Sequence, residues 1–523
     1  MRLFTSVAAL GCYFNLLQIE KIAAGEPPPT IGLVPTMGSL HGGHLSLIER
    51  ARAENTIAIV SIFVNPLQFG PNEDFQEYPR QLESDRQLCE TAGVDVIFAP
   101  SPEEMGFRPT TSDTNTQSSF TTVVPPASMT SIMCALSRPG HFEGVATAVT
   151  KLLSLVRPTR AYLGQKDAQQ LAIIKRLVAD LNLPVEIVGC PIVREPSGLA
   201  LSSRNQYLTP EQKEQAAVLY RAISRGEEVF CQNRSLPDNA SKILEAVKAE
   251  LAAVPEVEVE YVELVDPDSL QPLEKVERVG LLAIAARIGS CRLIDNMLLK
   301  NRQPIIAIDG PAGAGKSTVT KLVAKELGLL YLDTGAMYRA VTWLVLQSGI
   351  AIDDEPAIAD EVSKCQISFT GGSNFKITIN GKNVTEAIRT TEVTSHVSAI
   401  AAMGAVRYFL VKKQQEFGKT GGIVAEGRDI GTRVFPDAEV KIFLTASVKE
   451  RSRRRLEQLQ KQGEQNISLE QLERDISQRD LKDSTRKVSP LRQAADAIVL
   501  ETDGLSIAEV TQKIVKLYQR INN

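Results

Sequence analysis

Residues 31–44 read IGLVPTMGSLHGGH, and residues 305–318 read IIAIDGPAGAGKST. In both stretches a short apolar run gives way to small residues, and a helical pattern follows. Small residues allow the backbone to approach a phosphate group, and the helix that follows offers free N–H groups at the positive end of its dipole. Because the two loops differ in composition and lie far apart, they predict two separate nucleotide-binding α/β domains in this chain.

Apolar runs alternate with amphipathic stretches over residues 1–190, which predicts a domain with a parallel α/β sheet. The predicted strands are Ile31–Val34, Thr56–Val64, Val94–Ala99, Thr159–Leu163 and Val185–Val188. The predicted helices between them are Leu45–Ala53, Gln81–Ala92, Gly144–Val156 and Ala168–Leu181.

From Thr209 the pattern changes to long helices followed by short alternating strands, which predicts a small α+β domain over residues 191–298. The predicted elements are the helices Glu211–Cys231 and Asn239–Val254 and the strands Val257–Val265 and Gly280–Ala286. The short polar segment Asn296–Pro304 predicts the boundary to a second α/β domain, residues 304–523.

Three further segments are predicted within this second domain. The helix after the second loop is Val319–Leu327. Residues 366–384 alternate between apolar and polar types around Gly-Gly and Asn-Gly turns, which indicates a small antiparallel insert. Residues 449–486 are rich in arginine and predict a pair of helices.

The composition excludes several classes of protein. The 523 residues are 43% hydrophobic and 23% charged, as is typical of soluble globular proteins. A net charge of −4 provides no basic surface for a nucleic-acid polymer or an anionic membrane. Seven cysteines without CxxC spacing indicate reduced thiols, and no apolar run reaches the ~18 residues of a membrane span. We therefore expect a cytoplasmic protein.

The N-terminus allows a second interpretation, because Leu3–Leu17 is apolar and Ala9–Cys12 resembles a lipoprotein cleavage site. Apolar residues continue at helical spacing past this segment, into the charged pair Glu20 and Lys21. This continuation favours an ordinary helix over an export signal.

The first loop contains two of the four histidines of the chain, His41 and His44. Side chains three residues apart share one side of a helical turn. There an imidazole can donate to the oxygens of a departing diphosphate. A structural or metal-binding pair has the same spacing, and the preceding strand with its VPTMG segment is what favours phosphate chemistry.

Polar clusters follow the other predicted strands, at the edge where open α/β sheets bind ligands. Asn65–Phe69 supplies amides, Gly164–Asp167 supplies a cation and a carboxylate, and Leu201–Asn205 supplies hydroxyls and a guanidinium. Gln170 lies one helical turn beyond the second cluster. Each cluster alone is compatible with ordinary loop polarity, but together they predict one site.

Residues 1–298 resemble the pantothenate synthetases (pantoate–β-alanine ligases), a family with a Rossmann-like nucleotidyltransferase domain and an HxGH motif. The resemblance rests on LVPTMGSLHGGH, VSIFVNPLQF, SRPGHFEGV, YLGQKDAQQL, GLALSSRN and RLIDN. It implies that ATP adenylates pantoate with release of diphosphate, and that the amine of β-alanine then attacks the mixed anhydride. Ser202–Arg204 would be the second, KMSKS-type loop. Gln165 departs from the family, where a Glu is common.

The resemblance also implies roles for the matching residues. His44 would be the catalytic histidine, and Gln68 and Gln170 would hold pantoate, with Gln68 also near β-alanine. The ATP site would consist of Met37, Gly38, Ser39, Leu40, His41, Gly42, Gly43, His44, Gly164, Gln165, Lys166, Asp167, Val193, Leu201, Ser202, Ser203 and Arg204.

The second loop, Gly310–Thr318, matches the P-loop pattern GxxxxGK[ST] between a buried strand and a helix. Backbone N–H groups of Gly313–Lys316 would cradle the β-phosphate. Lys316 would reach the β- and γ-phosphate oxygens, and Ser317 would ligate Mg²⁺. The motif predicts ATP or GTP binding and leaves the acceptor open, because GTPases, motors and kinases share it.

Arginines beyond the P-loop point to a phosphorylated acceptor. Arg339 shares a loop-to-helix turn with Thr334, and Arg428 lies beside Asp429 at a strand end. Residues 451–486 contain seven more arginines. A solvated basic helix face is the ordinary interpretation of such a run. A loose phosphoryl-transfer transition state, however, requires several positive groups around it. This requirement favours a role for these arginines in phosphate binding.

Residues 304–523 resemble the bacterial cytidylate kinases, on the stretches IDGPAGAGKST, YLDTGAMYRA, IRTTEV, VAEGRDIGTRVFPDA and RDLKDSTR. The resemblance implies a P-loop nucleoside monophosphate kinase in which the insert belongs to the monophosphate domain and the arginine-rich helices form the lid. ATP would lie on Gly310, Pro311, Ala312, Gly313, Ala314, Gly315, Lys316, Ser317 and Thr318. CMP would be held by Thr334, Arg339, Arg407, Arg428, Asp429, Arg479 and Asp483, with Arg428 and Arg407 facing its phosphate. Arg453–Arg455 and Arg486 are lid candidates for the ATP phosphates.

The sequence therefore predicts a bifunctional enzyme that uses ATP and Mg²⁺ at both sites. One half would condense pantoate with β-alanine, and the other would phosphorylate CMP or dCMP. Two alternatives stay open: UMP as the acceptor, or one half retained as a non-catalytic binding or regulatory module. We expect small-molecule substrates as partners, no nucleic-acid polymer and no membrane, and the ligase resemblance implies a homodimer through the first half.

Overall fold

The computed structural model describes residues 1–26, 28–70, 75–107, 120–234, 236, 238–370, 376–461, 468–485 and 490–522. The chain divides into two compact units, Met1–Asn301 and Arg302–Asn523. Among the described residues, no helix is both long enough and apolar enough to cross a membrane.

A sheet of six parallel strands forms the centre of the first unit, in the order β1-β4-β3-β2-β5-β6. The strands are β1 Arg2–Phe4, β2 Ile31–Thr36, β3 Ile57–Ile62, β4 Val96–Phe98, β5 Arg160–Gly164 and β6 Glu186–Cys190. The parallel sheet is as predicted, but β1 was missed because three residues are too few to show a period. After β2 the chain forms β3 and β4 on one side of β2, and it later forms β5 and β6 on the other side. In such folds ligands bind at the point where the strand order reverses, and the loop after β2 lies at this point.

Helices cover both faces of this sheet. They are α1 Val7–Ala23, α2 Gly42–Glu54, α3 Leu82–Thr91, α4 Ala127–Thr130, α5 Cys134–Ser137, α6 His141–Val156 and α7 Ala168–Asp180. Neighbouring strand residues point to opposite faces, so Leu33 packs in the core with α6 and Val34 packs in the core with α2. The apolar residues at helical spacing that favoured an ordinary helix over an export signal lie in α1.

The rest of the first unit is the predicted small α+β domain. Its helices are α8 Pro210–Ala216, α9 Val218–Gln232 and α10 Asn239–Ala252, and its antiparallel strands are β7 Val257–Val265, β8 Val279–Ile288 and β9 Cys291–Lys300, in the order β7-β8-β9. The single helix predicted over Glu211–Cys231 is interrupted at Ala217.

The division between the two units, between Asn301 and Arg302, lies inside the predicted boundary segment Asn296–Pro304, but most of this segment is strand. Residues 296–300 belong to β9, which pairs with β8 as far as Lys300. The strand contains buried polar residues, Asp295 and Asn296, and these hid its apolar pattern. The next strand begins at Gln303, so only two residues separate β9 from the strand that opens the second unit.

The second unit is built on five parallel strands in the order β11-β15-β10-β16-β17. These are β10 Gln303–Asp309, β11 Leu330–Asp333, β15 Gly421–Gly427, β16 Val440–Thr445 and β17 Ile498–Glu501. The predicted insert is a separate antiparallel sheet of β12 Ile367–Thr370, β13 Lys376–Ile379 and β14 Lys382–Asn383. Residues 371–375, within the insert, lie outside the described residues.

The helices of the second unit include the predicted arginine-rich pair. They are α11 Lys316–Leu327, α12 Thr334–Gln347, α13 Glu355–Lys364, α14 Thr391–Ile400, α15 Gly404–Gly418, α16 Val448–Lys461, α17 Leu469–Thr485 and α18 Ile507–Asn522. Helices α16 and α17 are the arginine-rich pair, and Arg486 lies outside the described residues.

The fragments 1–301 and 302–523 should both be active. The shorter fragments 1–298 and 304–523 should both be less stable to unfolding. The shorter ligase-side fragment would lose Leu299, which is 1% exposed, and burial of one such side chain is worth about 2–3 kcal/mol. The shorter second fragment would lose Arg302, whose guanidinium binds two carboxylates at 3.1 Å. Thermal unfolding of all four fragments should show midpoints several degrees lower for the shorter pair.

Activity assays of the longer fragments complete this test. If either longer fragment lacked its reaction and regained it on mixing, the two units would have to share a site.

Candidate functional sites

The loop after β2 in the first unit carries both predicted histidines at the start of α2. His41 is the N-cap of the helix, and its Nδ1 accepts the N–H of Gly43 at 3.1 Å. The N–H of His41 in turn donates to Nδ1 of His44 at 3.3 Å. The two rings, with centroids 4.1 Å apart, are thus held in one reciprocal capping arrangement.

Both rings are neutral, and each carries one N–H donor. Burial lowers the pKa of His41 to about 4, with a smaller effect from Lys166. Burial, followed by His41 and Lys166, lowers the pKa of His44 to about 3. Because Nδ1 of each ring accepts a hydrogen bond, the hydrogen of each neutral ring lies on Nε2. Two Nε2–H groups are therefore available to an anion.

A cavity of about 750 Å³ opens in front of these rings. The predicted site residues that line it are Met37, His41, Gly43, His44, Gln68, Gly164, Lys166, Asp167, Gln170, Val193, Leu201, Ser202, Ser203 and Arg204. Apolar side chains form another part of the lining, among them Phe63, Val145, Val149 and Leu152. The cavity therefore has both a polar, cationic wall and an apolar wall.

Lys166 follows β5 and is held through its backbone. Nδ2 of Asn296 donates to the carbonyl oxygens of Gln165 and Lys166 at 2.9 and 2.8 Å. Burial lowers the pKa of Lys166 to about 8, with a further lowering from Arg204 that Asp295 opposes. Lys166 is thus a cation that loses its charge in mildly alkaline solution.

The segment with Gln68 is fixed from α6. Asn65 Nδ2 donates to the carbonyl oxygen of Gly144 at 3.0 Å. The carbonyl oxygen of Gln68 accepts hydrogen bonds from Arg138 Nη2 at 3.0 Å and from His141 Nδ1 at 2.8 Å. The backbone of Gln68 is therefore anchored, and its side chain lies in the cavity wall.

The P-loop of the second unit connects β10 to α11. A Cβ on Gly310 would lie 1.9 Å from the carbonyl oxygen of Leu444 on β16, so only glycine fits there. Lys316 Nζ donates to the carbonyl oxygen of Pro311 at 2.7 Å. Burial, together with the charge of Arg428, lowers the pKa of Lys316.

Glu426, at the end of β15, joins three hydroxyl groups. One carboxylate oxygen accepts from Ser317 Oγ at 2.8 Å, and the other accepts from the hydroxyl of Tyr331. Its main-chain carbonyl accepts from Thr334 Oγ1 at 2.6 Å. Burial, and next Asp333, raise the pKa of the Glu426 carboxyl. A hydroxyl and a carboxyl group thus lie together at the N-terminus of α11.

Two ion pairs join the predicted CMP-binding residues to one another. Arg428 Nε donates to Asp483 Oδ2 at 2.9 Å. Arg407 donates to Asp429 through Nη2, and Arg407 is 1% exposed. Each of these arginines is therefore oriented by a carboxylate of the same predicted set.

More positive charge surrounds Arg428. Burial lowers the pKa of Arg479, and the charges of Arg428, Arg339 and Arg455 lower it too, against the effect of Asp483. Several guanidinium groups thus act electrostatically on Arg479, and such a group suits the binding of phosphate.

Comparisons with known proteins agree on both units. The family model of pantoate-β-alanine ligase matches residues 15–298, more than half of the chain, and that of cytidylate kinase matches residues 306–520. A bifunctional pantoate ligase/cytidylate kinase of Trichodesmium erythraeum (strain IMS101) is 64% identical over 519 residues, covering 99% of this chain and 98% of the relative. The chain belongs to the bifunctional pantoate ligase/cytidylate kinase family.

Two more proteins show the same relationship. A bifunctional pantoate ligase/cytidylate kinase of Nostoc sp. (strain PCC 7120) is 63% identical over 536 residues, covering 99% of each chain. The crystal structure of pantothenate synthetase from Thermus thermophilus matches with a TM-score of 0.50 and 46% identity, over 57% of this chain and 99% of that one. The predicted fold class and the two predicted activities, both of which use ATP, are confirmed.

Not every residue predicted for the ligase ATP site lines the cavity. Gly38, Ser39, Leu40, Gly42 and Gln165 lie outside its lining. The N–H groups of Ser39 and Leu40 donate to the carboxylate of Asp85 instead. These two amides are therefore engaged within the protein.

The arginines of the predicted kinase lid differ in what they contact. Arg451, 4% exposed, donates to the carbonyl oxygen of Ala312 in the P-loop at 3.1 Å and binds Asp480 on α17. Arg454 donates to the carbonyl oxygen of Thr502 at 2.8 Å. Arg453 has an exposed side chain that pairs with carboxylates of its own helix. Arg453 thus fits the ordinary interpretation of a solvated helix face.

Several residues at these sites were not singled out from the sequence. They are Asp85, Arg138, His141 and Asn296 in the ligase unit and Tyr331 and Glu426 in the kinase unit. Arg138, His141, Asn296, Tyr331 and Glu426 lie within stretches that carry the two resemblances, which is a signal that could have found them. Asp85 lies in no such stretch.

Proposed function

We propose that the ligase unit forms a pantoyl adenylate in the cavity before β-alanine reacts. The observation that carries this proposal is the convergence of two neutral Nε2–H donors, from His41 and His44, and of Lys166 on one cavity. Donors held in place before the reaction stabilise the charge that develops on the departing diphosphate. His44 would be the catalytic residue, and Ser202–Arg204 would complete the phosphate contacts.

Pantoate would occupy the part of the cavity that has both amides and apolar side chains. Its two methyl groups match the wall of Phe63, Val149 and Leu152, and its hydroxyls can bond to Gln68 and Gln170. The pantoate carboxylate attacks the α-phosphorus of ATP and releases diphosphate. The β-alanine amine then attacks the acyl carbon, releases AMP and loses a proton, which forms the amide.

An exchange assay on the full-length protein tests this order of steps. We expect labelled diphosphate to exchange into ATP when pantoate is present and β-alanine is absent, because adenylation needs only the first two substrates. Exchange that required β-alanine would contradict a free-standing adenylation step.

The same assay should depend on pH through Lys166. The protonated lysine binds phosphate, and its pKa is lowered to about 8 from an ordinary value of 10.5. The contribution of Lys166 is therefore present below pH 8 and lost as the pH rises through 8. We expect kcat/KM for ATP, which reports the free enzyme, to fall above pH 8. A profile that stays flat to pH 10 would exclude Lys166 from phosphate binding.

In the kinase unit we propose that the P-loop holds ATP and that the arginine cluster holds the acceptor. Arg428 and Arg407 would face the CMP phosphate, with Arg479 beside them. Thr334, Arg339, Asp429 and Asp483 would complete the predicted acceptor set. The support for this is the guanidinium cluster around Arg428, since several positive groups suit a loose phosphoryl-transfer transition state.

Mg²⁺ fits the oxygen groups at the start of α11. Ser317 Oγ and a Glu426 carboxylate oxygen are 2.8 Å apart, and oxygen donors that leave room for phosphate and water suit this ion. Ser317 and Glu426 would therefore hold it, and when bound it would neutralise charge on the β- and γ-phosphates. Among the described residues, no group of three or more His, Cys, Asp or Glu side chains offers a metal site made of protein alone.

Three finer statements remain proposals. Beyond the cytidylate kinase activity itself, dCMP is proposed as an acceptor beside CMP, with UMP as the alternative. A homodimer through the ligase unit is proposed from the family resemblance. A cytoplasmic location, without a nucleic-acid or membrane partner, stays a prediction from composition.

A further inference from the structure

Asp85 does not line the ligase cavity, yet it holds the loop that leads into the two histidines. It lies on α3 and is 3% exposed. Its Oδ2 accepts the N–H of Ser39 at 2.9 Å, and its Oδ1 accepts the N–H of Leu40 at 2.7 Å. Hydrogen bonds to a carboxylate are about twice as strong as those between neutral groups. The loop is therefore fastened to α3 immediately before His41.

The backbone of this loop needs such a fastening. Gly38 has a φ of 83° and Ser39 has a φ of 53°, so two successive residues are left-handed. A residue with a side chain, such as Ser39, adopts this conformation at a steric cost. A Cβ on Gly38 would lie 2.9 Å from Oδ2 of Asp85. The carboxylate thus lies against a loop that has no room for a side chain at Gly38.

Successive N–H groups that converge in a turn form a concave anion site. Here the anion is a side chain of the protein, because Asp85 receives both N–H groups. The amides of Ser39 and Leu40 are consequently not the contacts for ATP phosphate. That role falls to groups that line the cavity, foremost the Nε2–H of His41 and His44.

We propose that Asp85 is a positioning residue of the ligase reaction. By fixing residues 38–40 it sets where α2 begins. Because His41 is the N-cap of α2 and His44 closes the same capping arrangement, one displacement of the loop moves both rings. The inference rests on the proposed phosphate contacts of the two histidines.

The test is Asp85→Asn in the full-length protein. Asparagine keeps the shape and one acceptor oxygen, but its amide nitrogen faces an N–H donor, so the loop loses one of its two hydrogen bonds. A displacement of about 1 Å costs on the order of 10²-fold in rate. We expect ligase kcat to fall by about that factor, with KM for ATP changed less than about threefold, since the ring positions matter most in the transition state.

Controls separate positioning from general destabilisation. Kinase turnover of the same preparation should be unchanged, and thermal unfolding gives the folded fraction at the assay temperature. Glu90→Gln removes an exposed carboxylate from the same helix and should leave ligase kcat unchanged. An unchanged kcat in Asp85→Asn, or a loss confined to KM, would overturn the proposal.

A second substitution tests the mechanism of positioning. Ser39→Gly removes the steric cost of the left-handed conformation. The double variant Ser39→Gly/Asp85→Asn should therefore have a kcat roughly tenfold higher than that of Asp85→Asn alone. A double variant no faster than Asp85→Asn would contradict an effect through the loop backbone. If His44→Ala kept normal turnover while Asp85→Asn lost it, the assignment of the histidine would fail and the coupling of Asp85 to the loop would stand.

Discussion

Replacement of His44 by alanine is expected to lower ligase turnover by roughly 10²–10³-fold, the usual effect of deleting one preorganised donor to a developing charge. Burial, His41 and Lys166 lower the pKa of His44 to about 3, so the ring acts as a neutral Nε2–H donor at the pH of the assay. Alanine removes this donor from the cavity. Pantoate-dependent exchange of diphosphate into ATP measures the loss.

The kinase reaction provides the internal reference for this variant. Because every residue proposed for the kinase site belongs to the second unit, CMP phosphorylation by His44→Ala should proceed at the wild-type rate. His396→Ala, which removes a half-buried histidine of that unit, should leave exchange unchanged. Near-normal exchange in His44→Ala would move the catalytic role elsewhere, with His41 the next candidate.

Much of the fold could be predicted because the central strands of both sheets are buried on both faces. Their continuous apolar runs, such as those of β2 and β10, are hard to mistake when a glycine-rich loop follows. The elements that were missed lack this signal. Strand β1 has three residues, and β9 carries Asp295 and Asn296 because tertiary partners satisfy their polar groups.

The candidate sites also contain some residues that could be predicted from the sequence and others that could not. Residues inside a loop motif, such as His44 and Lys316, could be named because the motif itself carries the chemistry. Asp85 acts on a loop 45 residues before it in the chain, and nothing in the sequence around Asp85 indicates that contact. Glu426 likewise meets Ser317 only because β15 lies beside β10 in the folded sheet.

Lys316→Ala and Arg428→Lys should separate the two ligands of the kinase. Lys316 starts α11, where its ammonium group can move from the carbonyl oxygen of Pro311 to phosphate oxygens. Its removal should lower phosphoryl transfer by at least about 10²-fold and weaken ATP binding. CMP binding measured without ATP should change little, because Lys316 lies on the P-loop side of the site.

Arg428→Lys should have the opposite pattern. Asp483 binds Nε of Arg428 and thereby orients the guanidinium. Its Nη2, together with Nη1, which also donates to the carbonyl oxygen of Gly427 at 3.4 Å, would then form the proposed bidentate contact with the CMP phosphate. Lysine has neither the Nε donor nor the planar fork. We expect CMP affinity to fall by about 10–100-fold, as for the loss of a charge-assisted pair of hydrogen bonds, with ATP affinity nearly unchanged.

Calorimetric titration of both variants, with CMP, with UMP and with a non-hydrolysable ATP analogue, measures these affinities. Arg453→Lys is the matched control, because Arg453 keeps an exposed side chain paired with carboxylates of its own helix, and it should bind CMP and the analogue normally. Equal loss of CMP and of the analogue in Arg428→Lys would mean that Arg428 bridges both phosphates or supports the fold. Since Asp483 lies on α17, in the predicted lid, loss of the hydrogen bond from Nε of Arg428 would then also weaken the attachment of α17 to the residue that follows β15.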